Sequence, residues 1–104
     1  MNNEINKPLE AMRRNAMQAE SMLKSLANAK RLLILCHLIK QKHTVGELVD
    51  LVGLSQSALS QHLGKMRLAG LVAARKNGKL VYYQIASHEV EAILSTLYLI
   101  YCKD

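Results

Sequence analysis

The stretch from Leu54 to Leu71 constrains the fold of this chain more than any other. Leu59, Leu63 and Met66 recur at helical spacing and therefore share one face of a helix. The opposite face carries only short or amide side chains, or none, at Ser57, Ser60, Gln61 and Gly64. A hydrophobic core can cover the first face, while the second lets a partner approach the helix backbone closely.

The polar face suits contact with the edges of DNA bases. Glutamine pairs bidentately with adenine, serine donates or accepts a hydrogen bond, and glycine lets the backbone come near. An ordinary solvated helix face would show the same residue types. The neighbouring sequence therefore has to decide between the two interpretations.

A short amphipathic segment precedes this helix. Thr44 and Glu47 have the spacing of a capping box, and the apolar residues that follow end at Gly53, which suits the left-handed residue that terminates a helix. Ser55 can then cap the next helix. Helix, glycine-containing turn and helix form a helix-turn-helix, whose second helix reads bases in the major groove. The residues that we expect to face bases are Gln56, Ser57, Ser60 and Gln61.

Positive charge is concentrated around and after this helix. The chain carries a formal net charge of +6 and an isoelectric point of about 9.6, yet many basic proteins bind no nucleic acid. The placement of the charge is more informative, because no acidic residue occurs between Asp50 and Glu89. Such a basic region is the footprint that phosphate binding requires. The expected phosphate contacts are Lys65, Arg75, Lys76 and Lys79.

A β-hairpin is predicted directly after the helix-turn-helix. Residues Val72 to Lys76 and Leu80 to Ile85 flank Asn77 and Gly78, a dipeptide that favours a two-residue turn between strands. Three basic residues would lie at its tip. A basic hairpin beside a recognition helix is typical of a wing that contacts the DNA backbone or the minor groove. A plain hairpin with a soluble tip would have the same composition.

Three more helices are predicted, two before this unit and one after it. The first begins at Pro8, behind a frayed segment from Met1 to Lys7, and the second runs from Ala29 to about Gln41 with Asn28 as its N-cap. Ser87 caps the last helix. The first and last helices present apolar faces that the core of so small a domain does not cover. They predict a homodimer with two-fold symmetry.

The sequence therefore predicts one domain, residues 1–104, that is mainly α with a β-hairpin wing, in the order α-α-α-α-β-β-α. Half of the residues are hydrophobic and only one is proline, which argues against a disordered chain. No apolar run approaches the roughly 20 residues of a membrane span, and no signal peptide opens the chain. We expect a cytoplasmic homodimer without membrane contact, whose recognition helices bind double-stranded operator DNA at a palindromic site.

Three motifs give the chain a resemblance to the winged-helix repressors of the ArsR/SmtB family. They are Leu54 to Leu63, Leu68 to Val72 and the pair Tyr82 and Tyr83, and the resemblance extends over almost the whole chain. It implies a sequence-specific DNA-binding transcriptional regulator, a repressor by default, and no enzymatic activity.

Family members that sense metals use cysteines on the helix before the recognition helix, or Asp and His sets on the last helix. Here the first place reads Glu47-Leu48-Val49-Asp50-Leu51, and the last helix has His88 but no second histidine. Neither metal site is therefore expected, and no cofactor is implied. Cys36 and Cys102 instead resemble those of the family's thiol-sensing branch. That likeness implies regulation by reactive sulfur species or oxidants, through a bridge between the two cysteines.

Residue chemistry alone leaves other uses of the cysteines open. A cytosolic cysteine is most often a small buried hydrophobe. A direct disulfide requires Cα atoms about 4.4–6.8 Å apart, and at a larger separation additional sulfur atoms would span the gap and favour persulfides over peroxides. A metal-responsive protein, a DNA binder without an effector and an anti-repressor that displaces another DNA-binding protein are the alternatives. A thiol-disulfide enzyme is disfavoured, because no Cys-x-x-Cys motif occurs.

Overall fold

The computed structural model describes residues 3–101 as a winged helix-turn-helix. Five helices and three strands follow one another as α1 (Asn3–Leu26), α2 (Ala29–Lys40), β1 (His43–Thr44), α3 (Val45–Val52), α4 (Gln56–Leu68), β2 (Val72–Asn77), β3 (Leu80–Ile85) and α5 (His88–Tyr101). The strands form one antiparallel sheet in the order β1-β3-β2. The predicted order of helices and hairpin is confirmed, with one additional short strand.

The predicted helix caps are confirmed. The Thr44 hydroxyl accepts from the backbone N–H of Glu47 at 3.2 Å, and the Glu47 carboxylate accepts from the backbone N–H of Thr44 at 2.9 Å, which completes the capping box of α3. Gly53 ends α3 with a φ of 77°, in the left-handed region that favours glycine. The caps of α2, α4 and α5 are Asn28, Ser55 and Ser87. In each, the side-chain oxygen accepts a hydrogen bond from the backbone N–H three residues further along the chain.

The core lies where α2 to α5 meet the sheet, and α1 contributes Leu26 at its end. The inner face of α4 is fully buried, as its spacing predicted, through Leu59, Leu63 and Met66. The side chains that join it in one hydrophobic cluster include Ile34, Leu35 and Leu38 of α2, Leu48 of α3, and Val90 and Leu94 of α5. This cluster fixes which side of α4 remains exposed.

The first helix begins earlier than predicted. α1 starts at Asn3 and contains Pro8, so the prediction that residues 3–7 precede the helix was wrong. Proline lacks an N–H and therefore removes the backbone hydrogen bond to the carbonyl of residue 4. That bond belongs to the first turn and a half of a 24-residue helix, and the helix continues on both sides of it.

The hairpin turn is displaced by one residue from its predicted position. Asn77 pairs with Leu80, so the turn residues are Gly78 and Lys79 rather than Asn77 and Gly78. Gly78 has a φ of 65°, and among the described residues only glycines have positive φ. This pattern matches a type II′ turn, which needs glycine only at its first central position. A type I′ turn would have required positive φ at Asn77 as well.

The short additional strand β1 was missed by the sequence prediction. Its residues His43 and Thr44 pair with Tyr83 and Tyr82 of β3. Two residues are too few to show an alternating pattern, so the strand leaves no signal in the sequence. Since Thr44 also caps α3, β1 ties the wing directly to the helix-turn-helix.

Replacing Thr44 by alanine should lower the free energy of unfolding by about 1 kcal/mol, because the Glu47 N–H loses its acceptor at the start of α3. Urea unfolding at fixed protein concentration measures the change. Thr96→Ala is the matched control, since the Thr96 hydroxyl only donates to the carbonyl of Ala92 within α5. Its effect should stay within about 0.5 kcal/mol. An equal loss in both variants would contradict a specific role for the capping box.

Candidate nucleic-acid interface

The exposed side of α4 holds five of the eight residues predicted to contact DNA. We define this outer face of α4 as Gln56, Ser57, Ser60, Gln61, Gly64, Lys65 and Leu68, all of which are exposed. The opposite side of the same helix is buried in the core. A helix anchored along one side and open along the other can enter a groove without losing its packing.

Leu68 is an unexpected member of the outer face. Its side chain is 91% exposed, the highest fraction among the exposed large hydrophobic residues of the described chain. Sequence reasoning used Leu68 only as part of a family motif and assigned it no contact. Helical periodicity would have placed it on the outer face, because it lies four residues beyond Gly64.

The three basic residues of the hairpin are exposed but do not share one face. Arg75 pairs with Tyr82 and Lys76 with Val81, so neighbouring side chains project to opposite sides of the sheet. Lys79 lies in the turn itself. The wing therefore carries positive charge on both faces and at its tip.

Further basic residues lie near the interface but outside the basic window of the sequence. The Lys42 ammonium lies 5.0 Å from the centre of the Tyr82 ring. Tyr82 is the residue of β3 that pairs with Arg75 of β2. Burial and the positive charges of Arg31, Lys30 and Lys65 lower the pKa of His62 on the flank of α4. Lys30 and Arg31 are thus close enough to add to the potential around this helix. Sequence reasoning missed these residues because chain folding brings them there from α2 and from the segment between α2 and β1.

A second group of titratable residues lies where α2 meets β1. The rings of His37 and His43 are 6.5 Å apart in an edge-to-face arrangement, and Nδ1 of His43 lies 3.4 Å from a Glu47 carboxylate oxygen. Burial and the charges of His43 and Lys40 lower the pKa of His37. Across the part of the chain that the structure describes, no three His, Cys, Asp or Glu residues are arranged to hold a metal ion.

Cys36 lines an apolar cavity between α2 and α5. The cavity has a volume of about 190 Å³, and the remaining lining residues are Leu32, Leu94, Leu97, Tyr98 and Tyr101. Cys36 itself is half-buried. Tyr101 directly precedes Cys102, the second predicted redox residue, which lies outside the described residues.

Large hydrophobic side chains are exposed along α1 and at the end of α5. They are Leu9, Met12, Met17 and Leu23 on α1, and Leu99, Ile100 and Tyr101 on α5. These are the helices whose apolar faces the sequence assigned to a dimer interface. Between residues 3 and 101, no helix is both long and apolar enough to cross a membrane.

The fold and the exposed side of α4 define a winged helix-turn-helix DNA-binding protein. The family model of the arsR family of bacterial regulatory proteins matches residues 28–74. HlyU of Vibrio cholerae, named a transcriptional activator, is 45% identical over 95 residues, which are 91% of this chain and 88% of HlyU. The chain thus belongs to the ArsR family, whose members are DNA-binding transcriptional regulators and not enzymes.

Solved structures of relatives share the fold. Reduced HlyU from Vibrio cholerae has a TM-score of 0.84 and 45% identity, covering 89% of this chain and 98% of the other. The transcriptional repressor BigR from Xylella fastidiosa has a TM-score of 0.83 and 34% identity, covering 89% and 92%. A homodimeric winged helix-turn-helix DNA-binding domain from Mycobacterium bovis has a TM-score of 0.75 and 30% identity, covering 85% and 83%.

Acidification from about pH 7.5 to about pH 5.5 should destabilise the protein. The unfolded chain binds protons at the ordinary histidine pKa of about 6.5, whereas the folded chain has a lowered pKa at His37 and His62. The stability is fully present above that ordinary pKa and is lost progressively as the pH falls toward the lowered values.

The midpoint of thermal unfolding at each pH measures this dependence. His62→Gln should make the slope shallower, because one of the two contributing groups is gone. Thr96→Ala, which removes no titratable group, is the control and should leave the slope of the natural chain. A slope that His62→Gln does not change would show that His62 makes no contribution.

Proposed function

We propose that this chain is a homodimeric repressor that binds operator DNA in its reduced state and releases it when Cys36 and Cys102 become bridged. Reactive sulfur species or oxidants are the inducers. The observation that carries the thiol switch is the cavity between α2 and α5. Cys36 lines it, and so does Tyr101, the residue directly before Cys102.

The proposed operator contacts divide into two groups. The base-reading residues are Gln56, Ser57, Ser60 and Gln61, on the outer face of α4. The phosphate-binding residues are Lys65 of α4 and Arg75, Lys76 and Lys79 of the wing. Their exposure supports this assignment, as does the buried inner face that holds α4 in place. Amide and hydroxyl groups distinguish bases, whereas ammonium and guanidinium groups bind the backbone without regard to sequence.

The proposed dimer is formed through α1 and α5. Both helices expose large hydrophobic side chains that this chain does not cover by itself, and a 30% identical relative is described as homodimeric. A two-fold axis through this interface would present two copies of α4 to one side of a duplex. Half-sites about 34–36 Å apart, one turn of DNA, would accommodate them.

Bridging of the cysteines proceeds by two thiol exchanges. The Cys36 thiolate takes the outer sulfur of a persulfide R–S–SH, which yields Cys36–S–SH and the thiol R–SH. The Cys102 thiolate then attacks the sulfur bonded to Cys36, and hydrogen sulfide leaves as Cys36–S–S–Cys102 forms. A longer bridge forms when a second persulfide R–S–SH has converted Cys102 to Cys102–S–SH as well: its outer sulfur attacks the sulfur bonded to Cys36, hydrogen sulfide leaves, and a trisulfide results. Reduction by a dithiol returns both thiols.

The switch is expected to appear in DNA binding by the full chain. Treatment with glutathione persulfide should weaken binding to the protein's own upstream DNA by tens of fold, about 2 kcal/mol, and dithiothreitol should restore it. The variant Cys36→Ser/Cys102→Ser should bind DNA like the reduced natural chain, before and after treatment. Fluorescence anisotropy at a stated salt concentration measures binding in each of these five samples.

A response that persists in the double serine variant would contradict the thiol switch. An unresponsive natural chain that still binds DNA would instead favour the alternative function, a winged-helix DNA binder without thiol sensing. Mass spectrometry of the treated protein identifies the bridge by its number of sulfur atoms. The same simple disulfide after persulfide and after peroxide would exclude selection by the length of the bridge.

Substitutions in the two proposed contact groups should have different signatures. Gln61→Ala should weaken operator binding by about 1–3 kcal/mol and relax sequence preference, because a base contact is lost. Lys79→Ala should weaken binding to all DNA alike and reduce the slope of log affinity against log salt by about 1. Titrations with operator and with unrelated DNA at several salt concentrations separate the two effects.

Lys24→Ala is the matched control for the loss of one charge. The Lys24 ammonium lies 3.9 Å from the Glu20 carboxylate on the exposed surface of α1, a helix that we assign to the dimer and not to DNA. Its removal should leave the salt slope unchanged. Equal slopes for Lys79→Ala and Lys24→Ala would contradict the placement of the wing on the phosphate backbone.

A further inference from the structure

Gly64 lies within α4, and nothing in the packing of the residues that the structure describes requires a glycine there. The residue is exposed, and a Cβ atom built on it would meet no heavy atom within 4 Å. The glycines with positive φ are Gly53, Gly70 and Gly78, so the backbone at Gly64 is one that any residue adopts. The missing side chain serves neither a turn nor a close contact within this chain.

A glycine at this position opposes the helix that contains it. Glycine loses more conformational freedom on folding than any other residue, and it is among the least favourable residues inside a helix. Alanine would fit the available space and stabilise α4. The glycine is therefore explained by something outside the folded chain that approaches α4 at this point.

The position of Gly64 on the helix indicates what approaches. At about 100° per residue, Gly64 lies about 20° from Ser57, about 40° from Ser60 and about 60° from Gln61 around the axis. It thus sits among the residues that we assign to base reading. Lys65 follows it directly and adds positive charge to the same exposed surface.

The dimensions of the major groove make a missing side chain significant. An α-helix with its side chains is about 10–12 Å across, and the major groove of B-form DNA is about 12 Å wide. A helix that enters this groove has little clearance on either side. Removing one side chain from the outer face lets the helix backbone lie closer to the DNA.

We propose that Gly64 is a positioning residue for operator recognition, at which the docked DNA packs against the α4 backbone and leaves room only for hydrogen. The proposal rests on the assignment of α4 as the base-reading helix. Gly64 makes no polar contact in this arrangement. It sets the depth of α4 in the groove, and so determines whether the side chains around it reach the bases.

The variant Gly64→Ala tests the proposal, because it should change stability and binding in opposite directions. Its midpoint of thermal unfolding should rise by about 2–8 °C. Its affinity for an operator selected from random duplexes with the natural protein should fall by about tenfold or more, as expected when a tight contact is overpacked. Binding to unrelated DNA, which is electrostatic and needs no deep insertion, should stay within about twofold.

Gly46→Ala supplies the matched control. Gly46 is also an exposed glycine within a helix, and a Cβ there would meet only the Thr44 hydroxyl at 3.9 Å, an ordinary contact. It should leave the affinity for operator within about twofold of the natural chain. An equal loss of affinity in both variants would indicate a general effect of helix stiffening and would overturn the proposal.

Two further results would overturn it. Operator binding by Gly64→Ala that matches the natural chain would show that the DNA leaves room for a methyl group. A lower unfolding midpoint in Gly64→Ala would show that the glycine serves the fold.

The variant Gln61→Ala distinguishes failure of this proposal from failure of the proposed function. If Gln61→Ala and Gly64→Ala both leave operator binding unchanged, the assignment of α4 as the reading helix fails. If Gln61→Ala weakens binding and Gly64→Ala does not, only the role of Gly64 fails.

Discussion

Burial of the inner face of α4 is the interaction on which the rest of the structure depends. Leu59, Leu63 and Met66 are completely buried, and each such side chain contributes about 1.5–3 kcal/mol. Their sum is similar in size to the net stability of a domain, about 5–15 kcal/mol, so loss of this burial would be enough to unfold it. The same contacts fix the rotation of α4 about its axis. Since one residue corresponds to about 100°, a rotation of that size would turn Ser57 or Gln61 away from the exposed side.

The features that could be predicted from the sequence are those set by neighbouring residues. A capping box needs only Thr44 and Glu47, and a buried helix face needs only apolar residues that recur every three or four positions. Both predictions are confirmed. The features that were missed depend on chain folding. Strand β1 exists because Tyr82 and Tyr83 of β3 supply its partners. The one-residue shift of the hairpin turn reflects the choice between two turn types that both accept Gly78.

The candidate sites show the same division between local and non-local information. Helical periodicity was enough to assign Ser60 and Gln61 to the outer face of α4, because both lie on one element. It could not predict that Lys30 of α2 lies close enough to His62 of α4 to lower its pKa, which depends on the folding of the chain. The cavity beside Cys36 is a further case, since four of its six lining residues come from α5, more than fifty residues along the chain. For the cysteines, the sequence indicated a function only through resemblance to a family.

In the proposed switch, the placement of Cys36 would connect a bridge between the cysteines to the position of α4. Ile34 and Leu38 lie on the face of α2 that is buried in the core together with α4, and Cys36 is about 160–200° away around the same helix. One face of α2 therefore contributes to the core that also holds the inner face of α4, while the other lines the cavity. Leu94 belongs to both the cavity and the core. Because a close-packed core shifts in discrete steps and does not deform continuously, the proposed bridge, if it displaces α2 or α5, would also shift the core that holds α4. A difference of about 2 kcal/mol between the reduced and the bridged arrangement would be enough to alter DNA affinity by tens of fold. Burial of a single leucine provides up to about 3 kcal/mol, so loss of part of one core contact would supply this difference.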